Sequence, residues 1–304
     1  MSAPAAVLPL LKPPGPSSHQ VVQAVRRRLG AGLRVGHAGT LDPAAAGVLP
    51  LCIGAATRLT AYLQIPSKAY RFELVLGQET DTQDATGRVL GRADARGITR
   101  TAIEGVMCAL VGDVRQMVPL YSARRLGGRR LYEYARSGVA ASLPEISVRI
   151  EHLALVDWRP GNPARGLCDV RCSSGTYVRA LCADIGRRLG VGAYMGHLVR
   201  YAAGGLDATV CVTLEEWEAA VREGRWRERC ISPAAALGFL PAVTADPVEV
   251  EAVAHGRPPG RRRAGAGEEP GLVRILAGDG RLLAVARRTV EDGVTGFILE
   301  RVLV

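Results

Sequence analysis

Lysine is nearly absent from this chain of 304 residues. Only Lys12 and Lys68 are lysines, so arginine supplies the other 37 of the 39 basic side chains. With 29 acidic residues, the formal net charge is +10, which favours an anionic partner such as nucleic acid. The planar guanidinium suits phosphates and base edges, whereas a GC-rich genome would enrich arginine, alanine and glycine without any such function. The abundance of arginine alone does not decide between these explanations.

The excess positive charge is confined to the larger, N-terminal part of the chain. Residues 237–304 contain nine arginines and nine acidic residues, so their charges sum to zero. Residues 1–236 contain 30 basic and 20 acidic residues and carry the whole surplus. We therefore expect an anionic ligand to lie mainly against the N-terminal part.

The chain also lacks long apolar runs and paired cysteines. No segment approaches the roughly 20 apolar residues of a membrane helix, and Pro4 and Pro9 interrupt an N-terminus without the basic region of a signal peptide. Seven scattered cysteines form no CxxC pair and no zinc spacing with histidine. The two aspartates of TDTQDATG are more typical of turn caps than of a metal site. These features predict a cytoplasmic protein with reduced thiols and no bound metal.

Several segments carry clear signals for helices and strands. Ser17 and Gln20 form a capping-box pattern before a helix that Gly30 would end, with Arg26 to Arg28 facing solvent or a ligand. The alternation in AYRFELVLG predicts a strand, with one face formed by Tyr70, Phe72, Leu74 and Leu76.

Further along the chain, CDVRCSSGTYVRALCADIGRRLG reads as strand, tight turn and helix, with Cys168, Val170 and Cys172 on one strand face. Capping patterns predict helices starting at Thr101 and at Thr213. A glycine-rich turn at residues 278–280 predicts a hairpin in a small, β-rich C-terminal part.

Asp42 is the one carboxylate in GHAGTLDPAAAGVLP, a run otherwise rich in glycine, alanine and apolar residues. An Asp-Pro pair in a loop is usually only a turn. Here it belongs to an ordered series of blocks, which are KPPGPSSHQVV, GHAGTLDPAAAGVLPLCIGAATRL, SKAYRFELVLGQETDTQDATG, QMVPLYSARRLGGRRLYEYARSG and SSGTYVRALCADIGRRLG. Together, from about Lys12 to Leu206, these blocks resemble the bacterial tRNA pseudouridine synthase B family.

The resemblance implies a specific reaction, the isomerisation of the T-loop uridine at position 55 of tRNA to pseudouridine. No metal or organic cofactor is implied. Asp42 matches the family's nucleophile, and a carboxylate can form and release a covalent ester in glycosyl chemistry. Addition to C6 of uracil, capture of C1′ and elimination through a glycal all stay open. Arg179 looks like the salt-bridge partner that keeps Asp42 ionised.

The other implied site residues surround the target base. Tyr70 matches an active-site tyrosine whose ring can stack on uracil and whose phenol can hydrogen-bond or accept a proton. Tyr177 and Leu198 match positions that line the uridine pocket, and His37 matches a histidine that contacts the rearranged loop bases. Candidate phosphate contacts are Arg58 and the cluster Arg124, Arg125, Arg129 and Arg130.

Three departures from the family pattern affect RNA-contact positions. Ser17 stands where the family usually has threonine, Arg125 where it has lysine, and Leu206 where it has phenylalanine. Asp42, Tyr70 and Arg179 are all present.

The family's architecture predicts an α+β pseudouridine-synthase fold with a mixed, largely antiparallel central sheet over residues 1–236. Residues 237–304 are then expected to form a small PUA-like β-barrel that makes an auxiliary RNA contact, carried by Arg261 to Arg263. We expect a monomer that binds the T arm of tRNA and no membrane.

Two other functions stay open at this point. One is a guide-RNA-dependent synthase of the dyskerin type, which shares the catalytic blocks but carries long basic extensions that this sequence lacks. The other is an RNA-folding chaperone or binding module without turnover. A glycosidase is disfavoured because the GTLDP block offers one carboxylate instead of an acid/base pair.

Overall fold

The computed structural model describes residues 5–30, 32–122, 124–137 and 142–303. These residues form seven α-helices, which are α1 (Ser18–Leu29), α2 (Arg100–Cys108), α3 (Leu131–Ser137), α4 (Val178–Arg188), α5 (Leu214–Arg222), α6 (Pro233–Ala236) and α7 (Pro247–Ala254). Short 3-10 helices cover Ala55–Leu59, Tyr62–Gln64, Ala208–Val210 and Trp226–Arg229.

The same residues form nineteen β-strands. Those before α4 are β1 (Ala5–Lys12), β2 (Val35–His37), β3 (Ala46–Gly54), β4 (Lys68–Leu76), β5 (Gln78–Thr80), β6 (Val89–Arg92), β7 (Gly112–Met117), β8 (Arg125–Leu126), β9 (Arg129–Arg130), β10 (Glu145–Arg159) and β11 (Ala164–Cys172). Those after α4 are β12 (Ala193–Ala203), β13 (Leu206–Asp207), β14 (Val212–Thr213), β15 (Ala242–Thr244), β16 (Arg262–Arg263), β17 (Gly271–Leu276), β18 (Leu282–Glu291) and β19 (Val294–Val302).

The chain divides into two compact units that do not follow the sequence order. The first unit contains Met1–Pro43, Gly47–Pro66 and Ala202–Val304, and the second contains Ala44–Ala46 and Ser67–Tyr201. The predicted domain boundary between residues 236 and 237 stays a prediction.

The first unit is built on β1, which pairs antiparallel with β3 and parallel with β14. β2 also pairs antiparallel with β3. The C-terminal part of this unit is a five-stranded sheet in the order β15, β17, β18, β19, β16. A buried apolar cluster joins Leu59 and Leu63 to Leu237 and Val285, so the C-terminal sheet packs against the segment that follows β3.

The second unit carries its strands in the order β12, β4, β11, β10, β7. β4 runs antiparallel to β11, with Lys68 opposite Cys172 and Leu76 opposite Ala164. α4 lies against β4 and β7, and it buries Val178, Leu181, Cys182 and Ile185. This stripe explains why the sequence is helical there, since residues three and four apart share one face.

Most of the local predictions are confirmed. Ser17 caps α1 with a reciprocal capping box to Gln20, and Gly30 ends the helix. The strand, turn and helix around residues 164–188 and the hairpin at residues 278–280 are present. Thr213 caps α5, as its pattern predicts.

One cap prediction is wrong. Thr99, not Thr101, caps α2, because its side chain accepts a hydrogen bond from the backbone N–H of Ala102. The glutamate that suggested a capping box, Glu104, instead forms an ion pair with Arg100 one helical turn earlier.

Within the described ranges, no helix is both long and apolar enough to cross a bilayer.

Candidate active site

Asp42 lies in the connection between β2 and β3, and its neighbours in the chain are fixed by hydrogen bonds. The buried hydroxyl of Ser18 donates to the carbonyl of Leu41 at 2.9 Å and accepts from the N–H of Leu41 at 2.8 Å. On the other side, the carbonyl of Pro43 accepts from the N–H of Gly15 at 2.8 Å and from Lys12 Nζ at 3.1 Å. The backbone on each side of Asp42 is therefore tied to the start of α1 and the end of β1.

Burial of polar groups makes this arrangement rigid. Ser18 is 2 % exposed and Leu41 is 3 % exposed, so their polar atoms have little access to water as an alternative partner. Asp42 itself is half-buried. A carboxylate on a fixed loop, at the edge of the core, is suited to a reaction in which its position decides the rate.

His37 and Arg58 belong to the same unit as Asp42. His37 ends β2, opposite Leu51 of β3, and is half-buried. Arg58 is exposed, and its Nη1 donates to the carbonyl of Val302 at 3.2 Å. Arg58 thus already contacts the C-terminal strand β19, while the rest of its guanidinium faces outward as a phosphate contact would require.

Arg179 is the most constrained side chain of the second unit's candidate residues. It is 5 % exposed, its Nη1 donates to the carbonyl of Thr82 at 3.1 Å, and its Nη2 donates to the carbonyl of Tyr121 at 2.9 Å. Its Nε lies 3.9 Å from Asp84 Oδ2. All three guanidinium nitrogens are thus directed by the loops after β5 and β7.

Asp84 has two separate roles in this arrangement. Its Oδ1 accepts from the backbone N–H of Thr86 at 2.9 Å and from the hydroxyl of Thr82 at 2.7 Å, which confirms the turn-capping interpretation of TDTQDATG. Its Oδ2 faces Arg179. The second role was missed from the sequence, because a turn cap gives no sign of which distant cation its free oxygen meets.

Tyr177 precedes α4 and is held by Gln116, a residue that no sequence pattern singles out. The side chain of Gln116 in β7 is 1 % exposed, accepts from the backbone N–H of Tyr177 at 2.8 Å, and donates to its carbonyl at 3.0 Å. A buried amide that satisfies both backbone groups of one residue fixes the entry to α4, and with it Arg179 two residues later. The only signal was a polar residue at an inward position of the short strand β7.

Tyr70 and Leu198 lie on strands of the same unit and are both buried. Tyr70 is 7 % exposed and sits opposite Val170 of β11, and Leu198 of β12 is 8 % exposed. Tyr70, Phe72, Leu74 and Leu76 are all buried, so the predicted strand face is confirmed. Two residues before Tyr70, burial and the nearby charge of Arg200 lower the pKa of Lys68 from 10.5 to about 8.

Arg125 lies apart from these buried residues, in the hairpin of β8 and β9. It is exposed, and its Nη1 donates to the carbonyl of Gly128 at 2.9 Å. Arg124 and Arg129 are exposed as well, and Arg129 stacks over the ring of Tyr134 at 5.1 Å. The side chain of Arg130 lies outside the described residues.

The candidate residues therefore form two groups. Asp42, His37 and Arg58 lie in the first unit, and Tyr70, Tyr177, Arg179, Leu198 and Arg125 lie in the second. The predicted ion pair of Asp42 with Arg179 would join the two units and stays a prediction.

Comparison with known proteins identifies the family. A model described as the TruB family pseudouridylate synthase N-terminal domain matches residues 26–178. A model described as the tRNA pseudouridylate synthase B C-terminal domain matches residues 179–237. The tRNA pseudouridine synthase B of Symbiobacterium thermophilum is 46% identical, covering 84% of this chain and 83% of that protein. Its counterpart from Moorella thermoacetica is 43% identical, covering 95% of each chain.

Solved structures agree on the fold. A chain in the crystal structure of a Cbf5-Nop10-Gar1 complex has a TM-score of 0.77 and 26% identity, covering 98% of this chain and 85% of that chain. A chain in an H/ACA RNP bound to a substrate RNA containing 2'-deoxyuridine has a TM-score of 0.73 and 25% identity. The predicted α+β pseudouridine-synthase fold, with its β-rich C-terminal sheet, is confirmed. With two consecutive family models and relatives at over 40% identity, the chain belongs to the TruB family of pseudouridylate synthases.

Proposed function

We propose that this protein converts uridine 55 in the T loop of tRNA to pseudouridine, as a monomer in the cytoplasm and without a guide RNA. The observation that carries the proposal is the 46% identity, over 84% of the chain, to a tRNA pseudouridine synthase B. The similarity to the Cbf5 chain is lower, at 26% identity. The stand-alone enzyme is therefore favoured over the guide-dependent one.

Asp42 is the proposed nucleophile. In the overall reaction the N1–C1′ bond breaks, the uracil rotates and a C5–C1′ bond forms. The proton on C5 is released to water, and N1 takes up a proton from water, so the product is an isomer of the substrate. A carboxylate that adds to the base or captures C1′ forms a covalent bond that is broken again before product leaves. The double hydrogen bond of Ser18 to Leu41 supports this role, because it fixes the backbone next to Asp42 before substrate arrives.

Arg179 and Tyr70 complete the proposed catalytic set. Arg179 is the proposed cationic partner of the Asp42 carboxylate when RNA is bound. Its two carbonyl contacts and Asp84 hold the guanidinium in one orientation. Tyr70 stacks on the uracil after the nucleotide has flipped out of the T loop, which costs a few kcal/mol. Tyr177 and Leu198 line the pocket for the flipped base.

The T arm is the part of the tRNA that we propose this protein recognises. The surplus of ten positive charges in residues 1–236 favours RNA on the catalytic part of the chain. His37 contacts the rearranged loop bases, and Arg58 and Arg125 contact phosphates. The neutral C-terminal part adds an auxiliary contact through Arg261 to Arg263.

The test uses purified protein, an unmodified tRNA transcript labelled with tritium at C5 of uridine, and no guide RNA. We expect one equivalent of tritium released per tRNA, and none from a transcript in which uridine 55 is replaced by cytidine. Release from the cytidine transcript would contradict the assignment to position 55. Binding without release from either transcript would favour the chaperone or a synthase that lacks its guide.

A further inference from the structure

An arginine pair at the end of α1 is left unused by the proposed mechanism. Arg26 and Arg27 are exposed, and neither forms an ion pair or side-chain hydrogen bond with another residue in the described part of the chain. Together with Gln23 and Gly30 they line a surface concavity of about 360 Å³. Gln23, Arg26 and Arg27 are spaced i, i+3 and i+4, so they lie on one face of α1, and Gly30 follows the last residue of the helix.

The third arginine of this turn differs from the other two. Arg28 Nε lies 3.2 Å from the carboxylate of Glu218 in α5. Arg28 is about 100° around the helix from Arg27 and farther from Arg26, because successive residues advance by that angle. The turn therefore carries one neutralised cation on the flank facing α5 and two uncompensated cations beside the concavity.

α1 connects this concavity to the loop that carries Asp42. Ser18, in the first turn, makes both hydrogen bonds to Leu41. The axial rise from Ser18 to Arg26 and Arg27 is about 12–14 Å. On the way, His19 and Gln23 form a polar contact of 2.8 Å on the exposed surface of the helix. An RNA with one nucleotide at Asp42 thus has its backbone within reach of the arginine pair.

From this geometry we infer that Arg26 and Arg27 form a phosphate-binding site for the backbone of the RNA substrate, outside the nucleotides that enter the active site. The inference rests on the proposed function, since it takes the bound RNA to be the substrate. Guanidinium groups suit phosphate oxygens because their planar donors pair with two of them at once. The site contributes to binding and not to the chemical step.

The test measures how RNA affinity depends on salt. Each phosphate contact contributes about 0.7–0.9 to the slope of log K against log salt concentration. For an R26Q/R27Q variant we expect the slope to fall by about 1.4–1.8 for an unmodified tRNA transcript. Between 50 and 200 mM KCl, the affinity of the wild type then decreases about 7–12-fold more than that of the variant.

Two further variants serve as controls. R28Q removes one charge from the same helical turn but from the flank paired with Glu218, so we expect its slope to equal that of the wild type. R26K/R27K retains both charges and should keep the wild-type slope. Because the arginines of this turn are exposed, all variants should keep the wild-type Tm. For R26Q/R27Q, kcat at saturating RNA should be unchanged while KM increases; for the two control variants, both constants should stay at the wild-type values.

The outcomes separate this inference from the proposed function. If R26Q/R27Q keeps the wild-type salt slope, the proposed phosphate site is wrong. It is also wrong if the slope of R28Q falls by half as much as that of R26Q/R27Q, because the change then reflects net charge and not a specific site. If wild-type protein turns over the transcript in either case, only the phosphate site is wrong. If wild-type protein neither binds nor turns over the transcript, the proposed function fails and the inference fails with it.

Discussion

Replacing Ser18 by alanine should damage catalysis without touching any residue proposed to contact substrate. The Ser18 hydroxyl makes hydrogen bonds of 2.8 and 2.9 Å to the N–H and carbonyl of Leu41, next to Asp42. Without it, both backbone groups of a residue that is 3 % exposed lose a partner. Leaving a buried polar group unsatisfied costs about 1–3 kcal/mol. We expect the free energy of unfolding to fall by that amount.

The same change should lower kcat. With Leu41 released, the Asp42 carboxylate can shift by a fraction of an ångström or more, and a misplacement of about 1 Å costs on the order of 100-fold in rate. We expect the single-turnover rate of tritium release to fall by about 10–100-fold. RNA affinity should stay unchanged, because Ser18 is buried.

The adjacent serine provides a matched control. Ser17 caps α1 through Gln20 and makes no contact with Leu41 among the described hydrogen bonds. Ser17→Ala should cost about 1 kcal/mol of stability through the lost cap, while the rate of tritium release stays at the wild-type value. Urea unfolding and single-turnover assays on both variants make the comparison. If Ser18→Ala loses stability but reacts as fast as Ser17→Ala, the link between the Leu41 hydrogen bonds and Asp42 is wrong.

Three other perturbations test the second unit. Asp84→Asn keeps the turn cap but removes the carboxylate that lies 3.9 Å from the buried guanidinium of Arg179. Single-turnover tritium release should slow and Tm should fall, because the loss of one partner of a buried ion pair is destabilising; an unchanged rate would contradict the positioning of Arg179. Gln116→Leu removes both hydrogen bonds to the backbone of Tyr177, so the free energy of unfolding measured with urea should fall by about 2–4 kcal/mol. A decrease below about 1 kcal/mol would mean that the backbone of Tyr177 finds other partners. Burial lowers the pKa of Lys68 from 10.5 to about 8. Between these two pH values, Lys68 is protonated in the unfolded chain but largely neutral in the folded chain. The free energy of unfolding therefore rises with pH in this range. Lys68→Met should flatten this rise in urea midpoints, and an identical pH dependence in the two proteins would contradict it.

The local elements were predictable where one short segment decides the structure. The capping box at Ser17 and the alternation from Tyr70 to Leu76 needed no tertiary information, since both depend on neighbours within a few residues. α2 shows the limit of such patterns. Thr99 and Thr101 are both acceptable caps, and an ion pair of Arg100 with Glu104 uses the glutamate that the capping box required.

Asp42, Tyr70 and Arg179 were proposed from blocks of sequence, but the groups that contact Tyr177 and Arg179 were not predicted. Gln116 is 61 residues from Tyr177, and Asp84 is 95 positions from Arg179. Pairs of this kind meet only because β7, α4 and the loop after β5 come together in the folded unit. The division into two units was not predictable for the same reason. The first unit combines segments from both ends of the chain, and local sequence patterns do not show which distant segments pack together.

The role of Asp42 as nucleophile is tested most directly by comparing wild-type protein with Asp42→Asn on an unmodified tRNA transcript labelled at C5 of uridine. Asparagine has nearly the same shape but is a far weaker nucleophile, so the change isolates the carboxylate. We expect tritium release by the wild type alone, with equal binding of both proteins to the transcript in a gel-shift assay. Release by Asp42→Asn at the wild-type rate would contradict the assignment of Asp42 as the catalytic nucleophile.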